Sequence, residues 1–465
     1  MTRTLAILAV TLILAGCSKM SGTPRKSNEY VWLTRYDVKT LDPAAIQDWT
    51  TGKVLSYVYP SIGQLCEDMG QDKPTVYYLK VKDAKFGNGD PVTAEDIRFT
   101  LERCLLPENQ SGLGNQFASE IIGSEDFTNG KSEHLQGVKL QPDGSVVIQL
   151  SHIDASFINK LKNTAFGVVN HKTVALRKPI TDTNPGYGAG NWTFESVETG
   201  REWKLKQTKT GQILRFRFAG DSANRLNLFD TNQADYAMFA AHEAGVVGKH
   251  ANLDKGGPTT LVYLQFNPKT KPELTKELRY QVGSIVHANT DFAKVLGGVV
   301  TPASNFLALS GTDPLPSSGI TNPKIVSKAH FEITYAEIGM QNPSVEAVVT
   351  TLRSAGMDVQ GRAMPSGAML EKNAKGEIPI LFTGWQPDFD GPLDTIPMLF
   401  HSKSSENHSG YNNPQVDLLI EEAQRGIDTT KNIQKAYALI EQDTPGVPLY
   451  IQRDLVLKRS EPPAP

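Results

Sequence analysis

The sequence contains few cysteines and few long apolar runs, and both shortages narrow the class of protein. Only Cys17, Cys66 and Cys104 occur among 465 residues, which excludes a disulfide-rich scaffold. After residue 16, no segment stays apolar over the roughly 20 residues that a membrane-spanning helix needs, so we expect a soluble body. The formal net charge is -3 and basic residues form no block, which argues against nucleic acid as a partner.

The motifs of several common enzyme classes are also missing or incomplete. No G-x-S-x-G nucleophile elbow occurs, and Val246 stands where a zinc protease beginning at His242 would need its second histidine. Gly130-Lys131-Ser132 looks like the end of a phosphate-binding loop, but Glu125 replaces the glycine that the backbone cradle requires. These gaps weigh only weakly against an enzyme and by themselves leave the function open; we expect no enzyme activity, no metal site and no cofactor.

The first residues carry an export pattern. Met1 to Arg3 form a short positive start, Leu5 to Leu14 are almost entirely apolar, and Leu14-Ala15-Gly16-Cys17 closes the segment. Ten apolar residues are too few to span a bilayer, so the pattern predicts a secretory signal peptide over 1–16. The closing residues resemble a bacterial lipobox, which predicts a lipid on the Cys17 sulfur and a flexible leash over 17–27. The alternative is an ordinary signal peptide with an incidental cysteine.

Short strands alternate with helices along the body, which favours an α/β chain. Turn clusters and a Thr93–Asp96 capping-box spacing delimit the elements. Strands are predicted over 29–34, 76–81, 214–218 and 261–266, a hairpin within 137–150, and helices over 50–59, 93–104, 277–288 and 414–425. The tail over 461–465 is predicted to be disordered. Cys66 and Cys104 are expected either to pair in an oxidising compartment or to be two buried free thiols.

Seven stretches in order along residues 29–457 carry a family resemblance. The most distinctive runs from Phe86 through Gly89-Asp90-Pro91 and Asp96 to Arg103. The others are Leu41–Ala44, Gly186–Trp192, Tyr263–Asn267 with Leu278–Val282, Gly384-Trp385-Gln386-Pro387-Asp388, Asn407–Asp417 and Thr444–Leu449. Together they resemble the bacterial extracytoplasmic solute-binding proteins of family 5, the dipeptide- and oligopeptide-binding lipoproteins of ABC transporters.

The resemblance implies a fold and a domain plan. The fold is an α/β, two-lobed periplasmic-binding-protein-like fold of type II, with an extra subdomain on the first lobe. We map the first lobe to 28–55, 176–255 and 446–465, the extra subdomain to 56–175, and the second lobe to 256–445. The implied function is capture of a di- or oligopeptide in the cleft between the lobes and its delivery to permease subunits. We expect a monomer, exported and held by lipid at a membrane facing the periplasm or the cell exterior.

The resemblance also implies ligand-binding residues. In peptide-binding relatives an aspartate after the tryptophan motif pairs with the free amino terminus of the ligand, and the matching residue is Asp388; its alternative role is to cap a turn. Trp385 is expected either to wall the same pocket or to belong to the lobe core. Trp32, Arg35 and Tyr36 are candidates because relatives present main chain to the peptide there.

Departures from the family pattern keep other ligands and roles open. The acid that usually precedes the proline after the tryptophan motif is replaced by Gly391, and the chain looks trimmed near residues 59–76, 310–334 and after Arg459. The alternatives are a nickel complex, an oligosaccharide or haem as ligand, a sensor or adhesion lipoprotein without a transporter, and a secreted hydrolase.

Overall fold

The structure is a computed structural model that describes residues 27–315, 330–337 and 343–465. The predicted signal peptide, Cys17 and the leash up to residue 26 lie outside these residues, as does part of the stretch between Ser310 and Thr334. No helix in the described ranges has the length and apolar character needed to cross a membrane.

The described residues form fifteen strands. They are β1 (Glu29–Thr34), β2 (Cys66–Lys73), β3 (Val76–Val81), β4 (Val138–Leu140), β5 (Ser145–Gln149), β6 (Trp192–Glu198), β7 (Glu202–Gln207), β8 (Ile213–Phe218), β9 (Tyr236–Phe239), β10 (Leu253–Phe266), β11 (Val300–Pro302), β12 (Phe331–Ala336), β13 (Val359–Met364), β14 (Ile380–Trp385) and β15 (Gly446–Lys458).

Fifteen α-helices occur in the same residues, together with four 3-10 turns over Pro43–Ala45, Pro107–Asn109, Thr164–Phe166 and Ala241–Glu243. The helices are α1 (Trp49–Leu55), α2 (Ile62–Leu65), α3 (Ala94–Leu105), α4 (Leu113–Ala118), α5 (Ser124–Thr128), α6 (Phe157–Lys160), α7 (Ser222–Asp230), α8 (Ala244–Val247), α9 (Lys276–Asn289), α10 (Phe292–Val295), α11 (Pro343–Ser354), α12 (Ser366–Ala374), α13 (Thr395–Phe400), α14 (Pro414–Gln424) and α15 (Thr429–Asp443).

One large sheet runs through both lobes. Its order is β13-β12-β14-β10-β15-β9-β1-β8-β7-β6, with β11 added beside β15. We call β1 and β6–β9 the first-lobe strands and β12–β14 the second-lobe strands. Parallel pairs dominate around β1 and β12, where strands alternate with helices, as expected for an α/β chain. The α/β, two-lobed prediction is confirmed.

The long strands β10 and β15 connect the two lobes. The last part of β10 pairs with β14, whereas the last part of β15 pairs with β9. Their own ladder changes register around Lys255, Pro258 and Thr260. Proline has no N–H to donate and register shifts interrupt a ladder, so the ladder between β10 and β15 is irregular at this crossing.

The extra subdomain contains a separate sheet of order β2-β3-β5-β4. Helix α3 covers this sheet, and Ile97, Leu101 and Cys104 pack with strand residues such as Leu79 and Ile148. Its start is the predicted capping box, in which Asp96 accepts a hydrogen bond from the Thr93 N–H at 2.8 Å. Such reciprocal capping satisfies N–H groups that a helix start leaves free.

Two of the family-like motifs meet in a buried ion pair. Arg103, at the end of α3, donates a hydrogen bond to Asp42, in the turn before the 3-10 segment Pro43–Ala45. Asp42 also accepts from the N–H groups of Ala44 and Ile180, at 3.0 and 2.9 Å. Burial raises the pKa of Asp42, and Arg103 opposes that rise. The pair fastens the subdomain to the first lobe.

Most of the predicted elements are confirmed within one to three residues at their ends. The strands over 29–34 and 76–81 match to the residue, and the hairpin within 137–150 is β4 and β5. The predicted helix over 50–59 is shorter, because α1 ends at Leu55 and the chain turns there. The predicted strand over 261–266 is only the end of β10, since the crossing segment before it is rich in glycine and proline.

Two further expectations are decided by packing. The tail is not disordered: Tyr57 donates to the Pro463 carbonyl at 2.8 Å and Trp192 to the Ala464 carbonyl at 2.9 Å. Both rings are buried and their polar ends need acceptors, which the tail supplies. Cys66 and Cys104 are buried free thiols, and burial raises the pKa of each to about 12.

Candidate functional site

A cavity of about 990 Å³ lies between α1 of the first lobe, the subdomain and the end of β14. The subdomain contributes the start of α4 and the turn at Asn163 and Thr164, and the second lobe contributes residues 385–388 together with Met398, Ser405 and Glu406. A cavity of this size lies at the upper end of those that hold small ligands. Its walls come from all three parts of the chain, so the lobes must be assembled to form it.

Contacts between the subdomain and the second lobe border this cavity. The Asn163 side-chain amide donates to the Asp388 carbonyl at 3.2 Å, and the rings of Phe117 and Phe389 meet edge to face at 6.1 Å. These contacts fix the loop that follows β14 against the subdomain. The position of Asp388 therefore depends on how the second lobe meets the subdomain.

Asp388 brings a half-buried carboxylate to the cavity wall. Burial, followed by the nearby carboxylates of Asp394 and Glu406, raises its pKa to about 7. No described lysine, arginine or histidine lies within ion-pair distance of its side-chain oxygens. A carboxylate that is desolvated and near other acids is stabilised by a cation. No cation of the described residues forms an ion pair with Asp388, so a cation from a ligand can stabilise it.

Asp394 fixes the orientation of this wall. Its two carboxylate oxygens accept hydrogen bonds from the Trp385 indole N–H and from the Asp388 backbone N–H, each at 2.9 Å. Asp394 is fully buried, and burial raises its pKa to about 6. Asp394, three residues after Gly391, is thus the acid that holds the Trp385–Asp388 motif in place. It is a positioning residue rather than a wall of the cavity.

Trp385 plays both of the parts expected of it. It lines the cavity beside Asp388, and its ring also packs against the second-lobe core around Leu261 and Ile396. The bond to Asp394 satisfies its N–H. Trp385 and Asp388 therefore both line this cavity.

Arg35 and Tyr36 line a second, smaller cavity of about 260 Å³. This cavity also includes Thr383 and Gly384, the residues directly before Trp385 in β14, so β14 contributes residues to both cavities. Arg35 is already paired with Glu243 at 3.3 Å, and Tyr36 is half exposed. Arg35 and Tyr36 thus line a cavity that does not include Asp388.

Trp32 does not line either cavity. Its side chain is 2% exposed and packs against Phe216 and Tyr236 in the first-lobe core. The main chain of β1 is also occupied there, because Trp32 pairs with β8 on one side and β9 on the other. A central strand has no free edge to offer a peptide, so we leave Trp32 out of the candidate site.

Several wall residues escaped the sequence reasoning. Trp49, Lys53 and Ser56 lie on one face of α1 and its C-terminal cap, and Glu406 reaches the cavity from the loop before α14. The signal was present in α1: with Val54 and Leu55 facing inwards, the opposite face carries an exposed tryptophan. Glu406 and Asp394 had no such signal, since their roles depend on loop geometry.

The geometry defines a class, that of two-lobed binding proteins with a ligand-sized cleft. The sequence model for bacterial extracellular solute-binding proteins, family 5, middle region, matches residues 63–407. The chain belongs to this family. In the described residues no group of three or more metal-ligating side chains comes together.

Relatives with assigned binding roles share a fifth of the sequence. The dipeptide-binding protein DppE of Bacillus subtilis is 21% identical, over 84% of this chain and 79% of its own. The oligopeptide-binding protein OppA of the same species is 21% identical, over 96% and 93%. A probable deoxycholate-binding periplasmic protein of Escherichia coli is 22% identical, over 90% and 86%.

Solved structures share the fold. The unliganded open form of the periplasmic murein tripeptide binding protein MppA superimposes with a TM-score of 0.75 at 18% identity, covering 94% of each chain. The peptide-bound OppA of Listeria monocytogenes gives 0.71 at 18% identity, covering 93% and 95%. At this identity the comparison establishes the architecture, and the ligand has to be inferred from the residues of the site.

Proposed function

We propose that this protein is the substrate-binding component of an ABC importer and that it captures peptides by their free amino terminus. The observation that carries the proposal is the Asp388 carboxylate, half-buried in the cavity wall without a cationic partner among the described residues. A peptide ammonium supplies the missing charge. The bond between them is charge-assisted, and such bonds are roughly twice as strong as neutral ones.

The rest of the cleft fits an extended peptide better than a compact solute. The two cavities are lined by polar and aromatic groups from several elements, and the residues from Thr383 to Asp388 run along both of them. A peptide anchored at Asp388 can continue towards Arg35 and Tyr36. Such a ligand is held largely by main-chain contacts, and its side chains occupy roomy pockets.

Export and anchoring complete the proposal. The pattern over residues 1–17 supports a signal peptide followed by a lipid on Cys17, and the residues to position 26 then act as a leash. A tethered monomer stays near its permease, and closure of the lobes over the ligand lets that permease distinguish loaded from empty protein. The importer itself is inferred from family membership.

Native mass spectrometry of the purified body, from residue 28 onwards, tests the ligand class. The protein is expected to carry peptides of mixed sequence from the cell. After denaturation these peptides should be identified as linear chains with free amino termini. Recovery of a bile acid, a sugar, haem or a metal chelate in their place would contradict the peptide assignment.

A further inference from the structure

Helix α1 brings a lysine, Lys53, to the wall of the same cavity. Trp49, Gly52, Lys53 and Ser56 all line it, at the spacing i, i+3, i+4 and i+7 that places residues on one face of a helix. The opposite face, with Val54 and Leu55, is buried in the first-lobe core. The cavity-facing side of α1 is therefore free to contact a ligand.

Lys53 has no carboxylate partner among the described residues. Its Nζ lies 5.8 Å from the ring centre of Trp32 and 5.5 Å from that of Tyr57, and no described acid is within ion-pair distance. The neighbouring acid, Asp48, is committed to capping α1: it accepts from the Thr51 N–H at 2.9 Å and from the Thr51 hydroxyl at 2.7 Å.

Burial of the Lys53 ammonium without an anion nearby costs free energy. Burial lowers the pKa of its ammonium, and the two aromatic faces compensate for lost hydration only in part, since such contacts contribute about 0.5–2 kcal/mol. A carboxylate at this point would form a charge-assisted hydrogen bond. Lys53 and Asp388 thus line one cavity, and each is a partly desolvated charge without an ion-pair partner among the described residues.

We infer that Lys53 binds a carboxylate of the captured peptide, so that the cavity recognises both the ammonium group and a carboxylate of its ligand. The carboxylate is either the C-terminus of a short peptide or an acidic side chain of a longer one. This inference rests on the proposed function, because it takes the peptide amine to be held at Asp388. The exposed Trp49, one helical turn before Lys53, then covers the intervening part of the ligand.

The test compares matched peptide libraries on matched variants. One tri- to pentapeptide library is prepared as free acids and as C-terminal amides, and a second has every Asp and Glu replaced by Asn and Gln. Retention is measured by competition in native mass spectrometry on wild type, Lys53→Met and Lys139→Met. Lys139 is an exposed lysine on β4 that does not line the cavity, and its replacement makes the same change in charge.

Wild type and Lys139→Met are expected to prefer free acids, or Asp- and Glu-containing peptides, by roughly ten- to hundredfold, the range of a hydrogen bond to a charged group. Lys53→Met is expected to lose that preference, so that it binds the free acid and the amide of one sequence with equal affinity. The library that shows the effect identifies the source of the carboxylate.

The outcomes separate this inference from the proposed function. A carboxylate preference that survives in Lys53→Met, or one that wild type never shows, overturns the role of Lys53 and leaves peptide capture standing. Failure of wild type to retain any peptide overturns both. Unchanged thermal unfolding of Lys53→Met is required as a folding control, and amide binding by the same sample provides a second one.

Discussion

Asp42 is buried and Asp388 is half-buried, and both lie in family-like motifs, but the two aspartates have different roles. Asp42 has an arginine and two backbone N–H groups around it. Asp388 has other carboxylates for neighbours and no described cation. A buried charge that the protein satisfies holds the fold together, whereas one that it leaves unsatisfied marks the place of a ligand.

The largest expected effect concerns the satisfied charge. Arg103→Met leaves Asp42 buried without its cation, and breaking such a pair costs about 3–5 kcal/mol in the free energy of unfolding. Urea unfolding of the empty protein measures it. Arg177→Met is the control, because the Arg177–Glu108 pair is similar at 2.9 Å but half exposed, and exposed pairs contribute about 1 kcal/mol or less. Equal losses in the two variants would show that burial does not distinguish them.

The second effect concerns the unsatisfied charge. Asp388→Asn is expected to weaken the binding of peptides with free amino termini roughly ten- to hundredfold, since it removes a charge-assisted bond. N-acetylated peptides should bind wild type and variant alike. Asp390→Asn is the matched control, because Asp390 is an exposed acid in the same loop. Isothermal titration measures each pair, and an equal loss for free and acetylated peptides would remove Asp388 as the amine anchor.

A third effect lies between the two extremes. Asp394→Ala removes the acceptor of both the Trp385 and the Asp388 N–H groups, and leaving buried donors unpaired costs about 1–3 kcal/mol each. We expect lower stability together with weaker binding, because the wall of the cavity loses its fixed orientation. Titration with N-acetylated peptides separates the contributions: a loss of affinity for them too would identify disorder of the wall and not only a lost charge.

Sequence patterns were sufficient for whatever depends on local periodicity or a long motif. The capped helix α3 and the strand β1 were predicted, since their signals lie within a few neighbouring residues. Trp32 was named because relatives present main chain to the peptide there, whereas the pairing of β1 on both sides occupies that main chain in this protein. Lys53, Asp394 and Glu406 were missed because their roles arise from residues distant in sequence that only the folded chain brings around one cavity.

A smaller, graded effect should appear when pH is varied. The pKa of Asp388 is raised to about 7, so the empty site takes up a proton below pH 7. That proton must leave before an ammonium group can bind. Affinity for free-amine peptides should therefore fall below pH 7, by at most about tenfold per unit. It should also fall above about pH 8, where the ligand's α-amine loses its own proton. The acid limb should disappear in Asp388→Asn and move to lower pH in Asp394→Asn, which removes a neighbouring charge.

The smallest expected effect is a gain in stability when the charge of Asp388 is removed. In the empty protein, folded Asp388 holds a proton up to about pH 7, while an unfolded aspartate releases it near about pH 4. The folded state thus binds more protons in that window, and its stability falls as pH rises through it. Asp388→Asn should accordingly raise the melting temperature of the empty protein at pH 8 by about 1–3 °C, and leave it unchanged near pH 4. Differential scanning calorimetry measures the shift, and a lower melting temperature at pH 8 would mean that Asp388 is paired within the protein, as Asp42 is.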